Sequence, residues 1–357
     1  MLPLSTGSLT DALATLGKDE KTREKFVALL KQIEGDYKTS PGDGRDIREE
    51  LTGPICDALH RDVAEITRKL KSGLKITCKY RSKIIRDFVL SRDNPPDHVW
   101  EPQTTKALLR LAKSSKTVLI GGAYIGDQAI LIADLIKKKG GVCHCFEPSG
   151  ESMEMLRRNA SANKLKNLVF NQAGLWSEAG WLSLTGEDSH AIPGKASKGA
   201  KGAFPATSIN GYGAEHGIDK LDLLMLDIEG GEYLALQGAS KYLSKPPGEA
   251  PNIIFEIHRS FVDWSNGLEN TDIVRLLKGH GYQVFAIRDY QSNVPMARHS
   301  VEIVPLDDIY LEGPPHGFNM LAVKQPAILE KAGFRLCSGV SPKLLKHRNP
   351  KYHSPIY

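Results

Sequence analysis

Apolar residues in the first hundred positions recur three and four apart, the spacing of one helix face. Leu9, Leu13 and Leu16 share such a face, with Thr10 as a candidate N-cap. The same period runs through residues 24–37, 46–73 and 79–90, with Pro54 near a start or a kink. The pattern predicts an all-helical region over residues 1–98, closed by the Asn94-Pro95-Pro96 break. Past that break the period changes. Short aliphatic runs at 117–122, 142–148, 167–175, 221–230, 252–258, 283–289 and 318–324 predict strands, and 181–184 predicts a hairpin arm. Amphipathic segments at 125–140, 149–164, 231–243 and 270–282 predict helices between them.

Strands alternating with helices imply an α/β, Rossmann-like, mostly parallel sheet covered on both faces, here over residues 99–325. A ligand of such a fold binds beyond the carboxyl ends of the central strands, where the winding reverses. That rule selects positions 121–126, 147–148, 227–229 and 256–258. Residues 186–205 are rich in Gly, Ala, Ser and Lys, too polar to pack, and read as a loop or lid beside the site. Residues 326–357 form a basic tail with Lys343, Lys346, Arg348 and Lys351, expected to be solvated or docked on its own domain.

Composition changes this picture little. The 357 residues are 41% hydrophobic and 25% charged, which allows a sizeable core. A net charge of +5 over this length is far from a dedicated nucleic-acid binder. The five cysteines are Cys56, Cys78, Cys143, Cys145 and Cys337, an odd number irregularly spaced. Cys143 and Cys145 share one face of a strand, as small core residues, and reduced thiols suit a cytoplasmic protein. The N-terminus has no basic segment followed by an apolar one, so no signal peptide is expected. No apolar run reaches the roughly 18 residues of a membrane span.

The chemistry sits in three places. Gly121, Gly122, Ala123, Tyr124 and Gly126 follow the first strand and open a helix, a turn that lets backbone approach a ligand, or one that is merely structural. Glu147 ends the second strand, roughly 20 residues further on, where an acid accepts bonds from a ribose or else stabilises a helix N-terminus. Spacing and context favour the ribose. Asp227, Glu229 and Glu232 crowd the end of the fourth strand, where a hydride-transfer site would want a cation or an acid proton instead. These acids favour S-adenosylmethionine over a nicotinamide cofactor.

These motifs resemble the FkbM family of methyltransferases. The resemblance runs from Glu101-Pro102-Gln103-Thr104-Thr105 through the glycine turn and Glu147-Pro148, with Asn159 and Asn163, to the segment Asp227-Ile228-Glu229-Gly230-Gly231-Glu232. It continues through Gly238-Ala239 to Phe255-Glu256-Ile257-His258. It implies a class I methyltransferase fold whose seven-stranded sheet ends in an antiparallel strand, and an activity on hydroxyl groups of sugars and other small natural products. Cofactor-binding positions are then Gly121, Gly122, Ala123, Tyr124, Gly126, Glu147, Pro148, Ala173 and Asp227. The chain departs from the family at Ile120, where an acid is usual, and at Tyr124, where Asn is usual. Glu101 and Thr105 are candidates to replace those contacts.

Methyl transfer needs alignment and a base. His258 is the preferred base, sharing one face of an extended segment with Glu256, which could orient the imidazole. Asp227 is the next candidate. Asp227, Glu256 and His258 together could hold Mg²⁺ against a substrate diol, as some relatives use a divalent metal. His190, Lys195 and His316 could touch substrate, and Trp100 or Trp264 could stack on a sugar. The N-terminal helices could cap the site or form a homodimer interface. The alternatives are methylation of an amine, an RNA or a protein, a non-catalytic cofactor-binding protein, and a dinucleotide oxidoreductase.

Overall fold

The computed structural model describes residues 6–37, 45–185, 192–296, 299–312, 317–331 and 333–356. The N-terminal region contains helices Thr6–Gly17, Glu20–Asp36, Gly53–His60 and Lys83–Val89 around Leu30, Cys56, Leu59, Val89 and Leu90. It is not all helix. Strands β1 (Ile66–Lys69) and β2 (Lys75–Cys78) pair as an antiparallel hairpin, β1 inside the segment 46–73 whose spacing predicted helix and β2 just beyond it. Tertiary context overrides the local period here. Ile76 and Cys78 turn into the core. The free edge of β2 is satisfied by side chains of helix Gly150–Ala162 and its cap: Asn159 accepts from the Thr77 amide at 2.8 Å, and Asn163 does the same for Lys75 at 2.8 Å.

The main sheet is built from β3 (Thr117–Gly121), β4 (Val142–Phe146) and β5 (Leu168–Asn171), then from five later strands and a C-terminal one. A smaller sheet intervenes in sequence: β6 (Gly174–Leu175), β7 (Gly180–Thr185), β8 (Ile192–Lys195) and β9 (Phe204–Thr207). The later main-sheet strands are β10 (Leu223–Leu226), β11 (Asn252–His258), β12 (Gln283–Ile287), β13 (Val301–Pro305) and β14 (Gly317–Val323), followed by β15 (Phe334–Leu336). The order is β15-β13-β12-β14-β11-β10-β3-β4-β5. Strands β5, β4, β3, β10 and β11 are mutually parallel, and β14 runs antiparallel between β11 and β12. The seven strands from β5 to β12 have the class I methyltransferase arrangement. Strands β13 and β15 extend it to nine.

The central strands are near-continuous apolar runs because both faces are covered. Val118, Ile120, Cys143, Cys145, Met225 and Ile254 pack on one face. Leu119, Phe146, Leu224, Leu226 and Phe255 pack on the other. Winding reverses between β3 and β10, so a crevice opens at their carboxyl ends.

Two expectations about irregular segments change. Part of the glycine-rich stretch 186–205 is ordered as β8 and the start of β9, each laddered to β7. Backbone pairing needs no packing side chain, so composition did not reveal it. Residues 186–191 lie outside the described set. The basic tail docks: the fully buried Arg288 donates to the carbonyls of Ser341 at 2.8 Å and Tyr352 at 2.8 Å, and pairs with Glu302. Among the described residues no helix is long and apolar enough to cross a membrane.

Candidate active site

The turn after β3 is shaped by close backbone approach. Gly122 has φ +76°, and a Cβ there would stand 1.7 Å from the Asp227 carbonyl oxygen. Gly126 has φ +87°, and a Cβ there would stand 2.3 Å from Leu156. Both positions require glycine. The Gly122 and Ala123 amides donate to the Phe146 carbonyl, tying the turn to the end of β4. Tyr124 takes a left-handed φ of 44°. Its amide donates to Glu147 at 2.9 Å, and the Ser149 amide donates to the other Glu147 oxygen at 2.8 Å. Glu147 thus locks two loops. It also lines a cavity of about 170 Å³ with Gly122, Pro148, Ala173, Asp227 and Glu229. The opposite wall comes from the small sheet: Leu175, Leu182, Leu184, Pro193 and Phe204. These apolar walls were not expected from the sequence, since they come from strands in the glycine-rich stretch and its neighbours. A slot with an apolar wall on one side and Glu147, Asp227 and Glu229 on the other suits a flat heterocycle and its ribose.

Beside this cavity lies a crowd of carboxylates. Asp227 follows β10, and its amide donates to the Gly121 carbonyl. Glu229 takes φ 53° in the following turn, which Glu232 clamps by accepting from the Ile228 and Gly230 amides at 2.8 and 3.0 Å. Glu232 therefore builds the turn. Glu256 projects from β11 and Glu101 from the start of helix Pro102–Ala112. Asn319 donates to Glu101 at 2.7 Å. Asp127 completes the group from the glycine turn.

Burial sets the protonation of this cluster. It pushes Asp227 up to about 6. Burial, then the charge of Asp227, pushes Glu229 up to about 7. Asp127 rises to about 7, chiefly by burial and against bonds from its own backbone. Glu256 and Glu101 are raised further, by burial and then by their acidic neighbours. One oxygen each from Asp227, Glu229 and Glu256 lie within 4.8 Å of one another. Mutually repelling carboxylates in low dielectric either hold their protons to higher pH or pair with a cation.

The expected residues are only partly united. Gly122, Glu147, Pro148, Ala173 and Asp227 line one cavity; Gly121, Ala123, Tyr124 and Gly126 belong to the turn beside it, and Glu101 and Glu256 feel the charge of Asp227. Thr105 is committed elsewhere, its hydroxyl donating to the Trp100 carbonyl at 2.9 Å. His258 and Glu256 do share a face, both flanking Gly317 on β14. The His258 Nδ1, however, accepts from the Ser260 amide at 3.0 Å, so its local turn, rather than Glu256, orients this nitrogen. A neutral imidazole with an accepting Nδ1 carries its proton on Nε2, which makes that atom a donor. Among the described residues the carboxylate group that could hold a metal contains Glu229 in place of His258. Lys195 is exposed and pairs with Glu178 at 2.5 Å. His190 and His316 lie outside the described residues. Trp100 and Trp264 are half-buried against the core, Trp264 with its ring 5.8 Å from Phe318.

Comparison with known proteins bears on this crevice. Residues 121–284, which run from the glycine turn through β11 into β12, match the model of the methyltransferase FkbM domain. Over that stretch the chain is similar to the methyltransferase FkbM domain. It is an S-adenosylmethionine-dependent methyltransferase. No curated protein matches the chain. Among solved structures it is similar to a precorrin-6y C5,15-methyltransferase from Geobacter metallireducens, at 11% identity over 62% of this chain and 88% of the other, with a TM-score of 0.34. A methyltransferase FkbM from Methylobacillus flagellatus is 16% identical over 67% and 52%, with a TM-score of 0.32. An O-methyltransferase from Bacillus cereus, solved in complex with SAH, is 14% identical over 62% and 80%, with a TM-score of 0.34.

Proposed function

We propose that this protein methylates a hydroxyl group of a small acceptor, a sugar or another natural product, with Asp227 as the base. The observation that carries the reading is the carboxylate group at the ends of β10 and β11, open to the same crevice as the glycine turn and the Glu147 cavity. The Gly122 cradle, Glu147 and the apolar slot fit the adenosyl half of S-adenosylmethionine. When bound, that molecule supplies a methyl group on a cationic sulfonium, and the acids would stabilise its positive charge. Asp227 lines the cavity wall and is raised only to about 6, so it is ionised at neutral pH yet basic enough to take a proton. His258, at the end of β11 with its Nδ1 taken by the Ser260 amide, is assigned to holding the acceptor rather than deprotonating it.

The donor set Asp227, Glu229 and Glu256 consists of hard oxygens, which fits Mg²⁺ or a similar cation. Bound there, it would lower the pKa of a coordinated hydroxyl. The N-terminal region serves as a buttress: Asn159 donates to both Thr77 and Ile125 carbonyls at 2.9 Å, coupling the hairpin to the glycine turn.

The test is titration with S-adenosylhomocysteine and NADH by calorimetry, followed by turnover on a panel of hydroxylated and amine acceptors with and without Mg²⁺. Binding of S-adenosylhomocysteine and transfer to hydroxyls is the expected result. Tight NADH binding without S-adenosylhomocysteine binding would overturn the cofactor reading. Transfer to RNA with a steep salt dependence would overturn the small-acceptor reading.

A further inference from the structure

A second cavity, of about 260 Å³, lies next to the catalytic acids and belongs neither to the cofactor slot nor to the carboxylate cluster. Its walls include Arg259 and Trp264, just beyond β11, Phe318 on β14, and Ser341, Lys343 and His353 from the docked C-terminal segment. Phe318 pairs across the ladder with Ile257, on the sheet face opposite Glu256 and His258. The cavity is therefore at the carboxyl end of β11, and it meets the acids through Lys343, which the charge of Glu256 reaches.

Lys343 is the unusual member. Its side chain is only 6% exposed, and its ammonium has no hydrogen-bond partner among the described residues. A buried ammonium without a partner is costly, and proteins keep such groups rarely. The backbone around it is well fixed: the Lys343 amide donates to the Ser341 hydroxyl, and its carbonyl bonds the His353 ring at 2.8 Å. The one acid lining the cavity, Glu312, already faces His353 at 3.0 Å and Arg348 at 3.5 Å. Arg259 and Lys343 are thus left as positive charge beside a tilted pair of aromatic rings, Trp264 and Phe318. Burial pulls the Lys343 amine down to about 7, while the charge of Glu256 holds it up, so an incoming anion would fix it in the charged state.

From this geometry we infer that the methyl acceptor carries an anionic group, a carboxylate or a phosphate, which docks on Lys343 and Arg259 while its hydroxyl faces Asp227. The inference rests on the methyl-transfer reading of the neighbouring acids and adds the acceptor class to it. Both oxyanions offer the same chemistry: acceptor oxygens for an ammonium donor and a charge for the guanidinium. The aromatic pair covers the carbon skeleton between the two ends. The C-terminal segment, outside the matched family region, becomes a specificity element.

The experiment titrates the full chain with inorganic phosphate and, separately, with sodium acetate at constant ionic strength, following tryptophan fluorescence, with and without S-adenosylhomocysteine. Saturable binding of at least one anion is expected. Lys343→Met should weaken it by at least about tenfold, the loss of one charge-assisted bond, and Lys343→Arg should largely retain it. Stronger phosphate than acetate binding assigns a phosphorylated acceptor, and the reverse assigns a carboxylate. Absence of saturable binding by the wild-type protein, or equal affinities in wild type and Lys343→Met, overturns the inference. Failure to bind S-adenosylhomocysteine overturns the methyltransferase cofactor reading instead, and the anion titration without it still decides the role of Lys343.

Discussion

The protein buries two clusters of charge, and they are built on opposite plans. In the N-terminal region Arg48 lies against Glu34 and stands 3.6 Å from Asp87, while Arg86 contacts Glu49 at 2.7 Å and Asp57 at 3.3 Å. Cations and anions are interleaved there. The Thr52 hydroxyl adds a bond to Glu34 at 2.6 Å. At the carboxyl end of the sheet, Glu101, Asp127, Asp227, Glu229 and Glu256 gather with no interleaved cation among the described residues, Lys343 acting on Glu256 only from the adjoining cavity. The first cluster carries its own counter-charges, although both Asp87 oxygens lack a hydrogen bond. The second has no such interleaved counter-charge among the described residues. A charge cluster balanced in this way is architecture, and one that is not is a site.

The largest effect should come from the acidic cluster. Asp227→Asn keeps the shape and removes the base, so turnover should fall by about 10²–10⁴-fold with little loss of S-adenosylhomocysteine affinity. His258→Ala separates the roles: if Nε2 only positions the acceptor, the loss should be smaller and should fall mainly on KM. An unchanged turnover number in Asp227→Asn would move the base elsewhere.

The interleaved cluster should respond in stability instead. Arg48→Met leaves Glu34 buried without its cation and Asp87 with Arg86 alone at 3.6 Å, and should cost about 3–5 kcal/mol in denaturant unfolding, with cofactor affinity of the folded fraction unchanged. A smaller loss would mean that water replaces the guanidinium.

Glu229→Gln should do the reverse. The acids of the site have folded pKa values raised above their unfolded ones. Their favourable contribution is whole below about pH 4 and is lost as pH rises through about 6 to 7 for Asp227, Glu229 and Asp127. The unliganded protein should therefore lose stability between pH 5 and 8, by up to about 1.4 kcal/mol per unit of raised pKa for each group. Glu229→Gln, which removes one of the groups that titrate in this window, should flatten that decline. S-adenosylmethionine should counter it more than S-adenosylhomocysteine, which lacks the sulfonium charge. A flat melting temperature over this range would show that the acids already hold a counter-ion.

How much of this was legible in the residues differs by element. The aliphatic runs of β3, β10 and β11 could be read directly, because fully covered parallel strands leave an unbroken apolar signal. So could Gly122 and Gly126, whose φ values only glycine takes readily, and Asp227, fixed by the segment around it. The β1–β2 hairpin was hidden because Val63, Ile66 and Leu70 fit a helical period as well as a strand. The cofactor slot's outer wall was hidden because Pro193 and Phe204 come from a stretch whose order depends on ladder bonds. Lys343 could not be found at all: a lysine in a basic tail carries no sign that it is buried. The direction of the His258 ring, set by the Ser260 amide two residues on, is likewise a matter of local backbone geometry.

The smallest effect tests the contrast from outside both clusters. Lys195 and Glu178 form a charge pair too, but on the surface, with most of each side chain in water. Solvent screens such a pair, and holding two long side chains in one geometry offsets what attraction remains. Lys195→Ala should move the melting temperature by less than about 1 °C. Because Lys195 ends β8, two residues from Pro193 in the cofactor slot, the same variant also reports on the small sheet as a wall of the site. If that wall only shapes the adenine pocket, KM for the acceptor should not change. A raised KM for an anionic acceptor, with the same KM for a neutral analogue, would bring Lys195 into acceptor recognition and break the division between a cationic pocket at the C-terminal segment and an apolar slot at the small sheet.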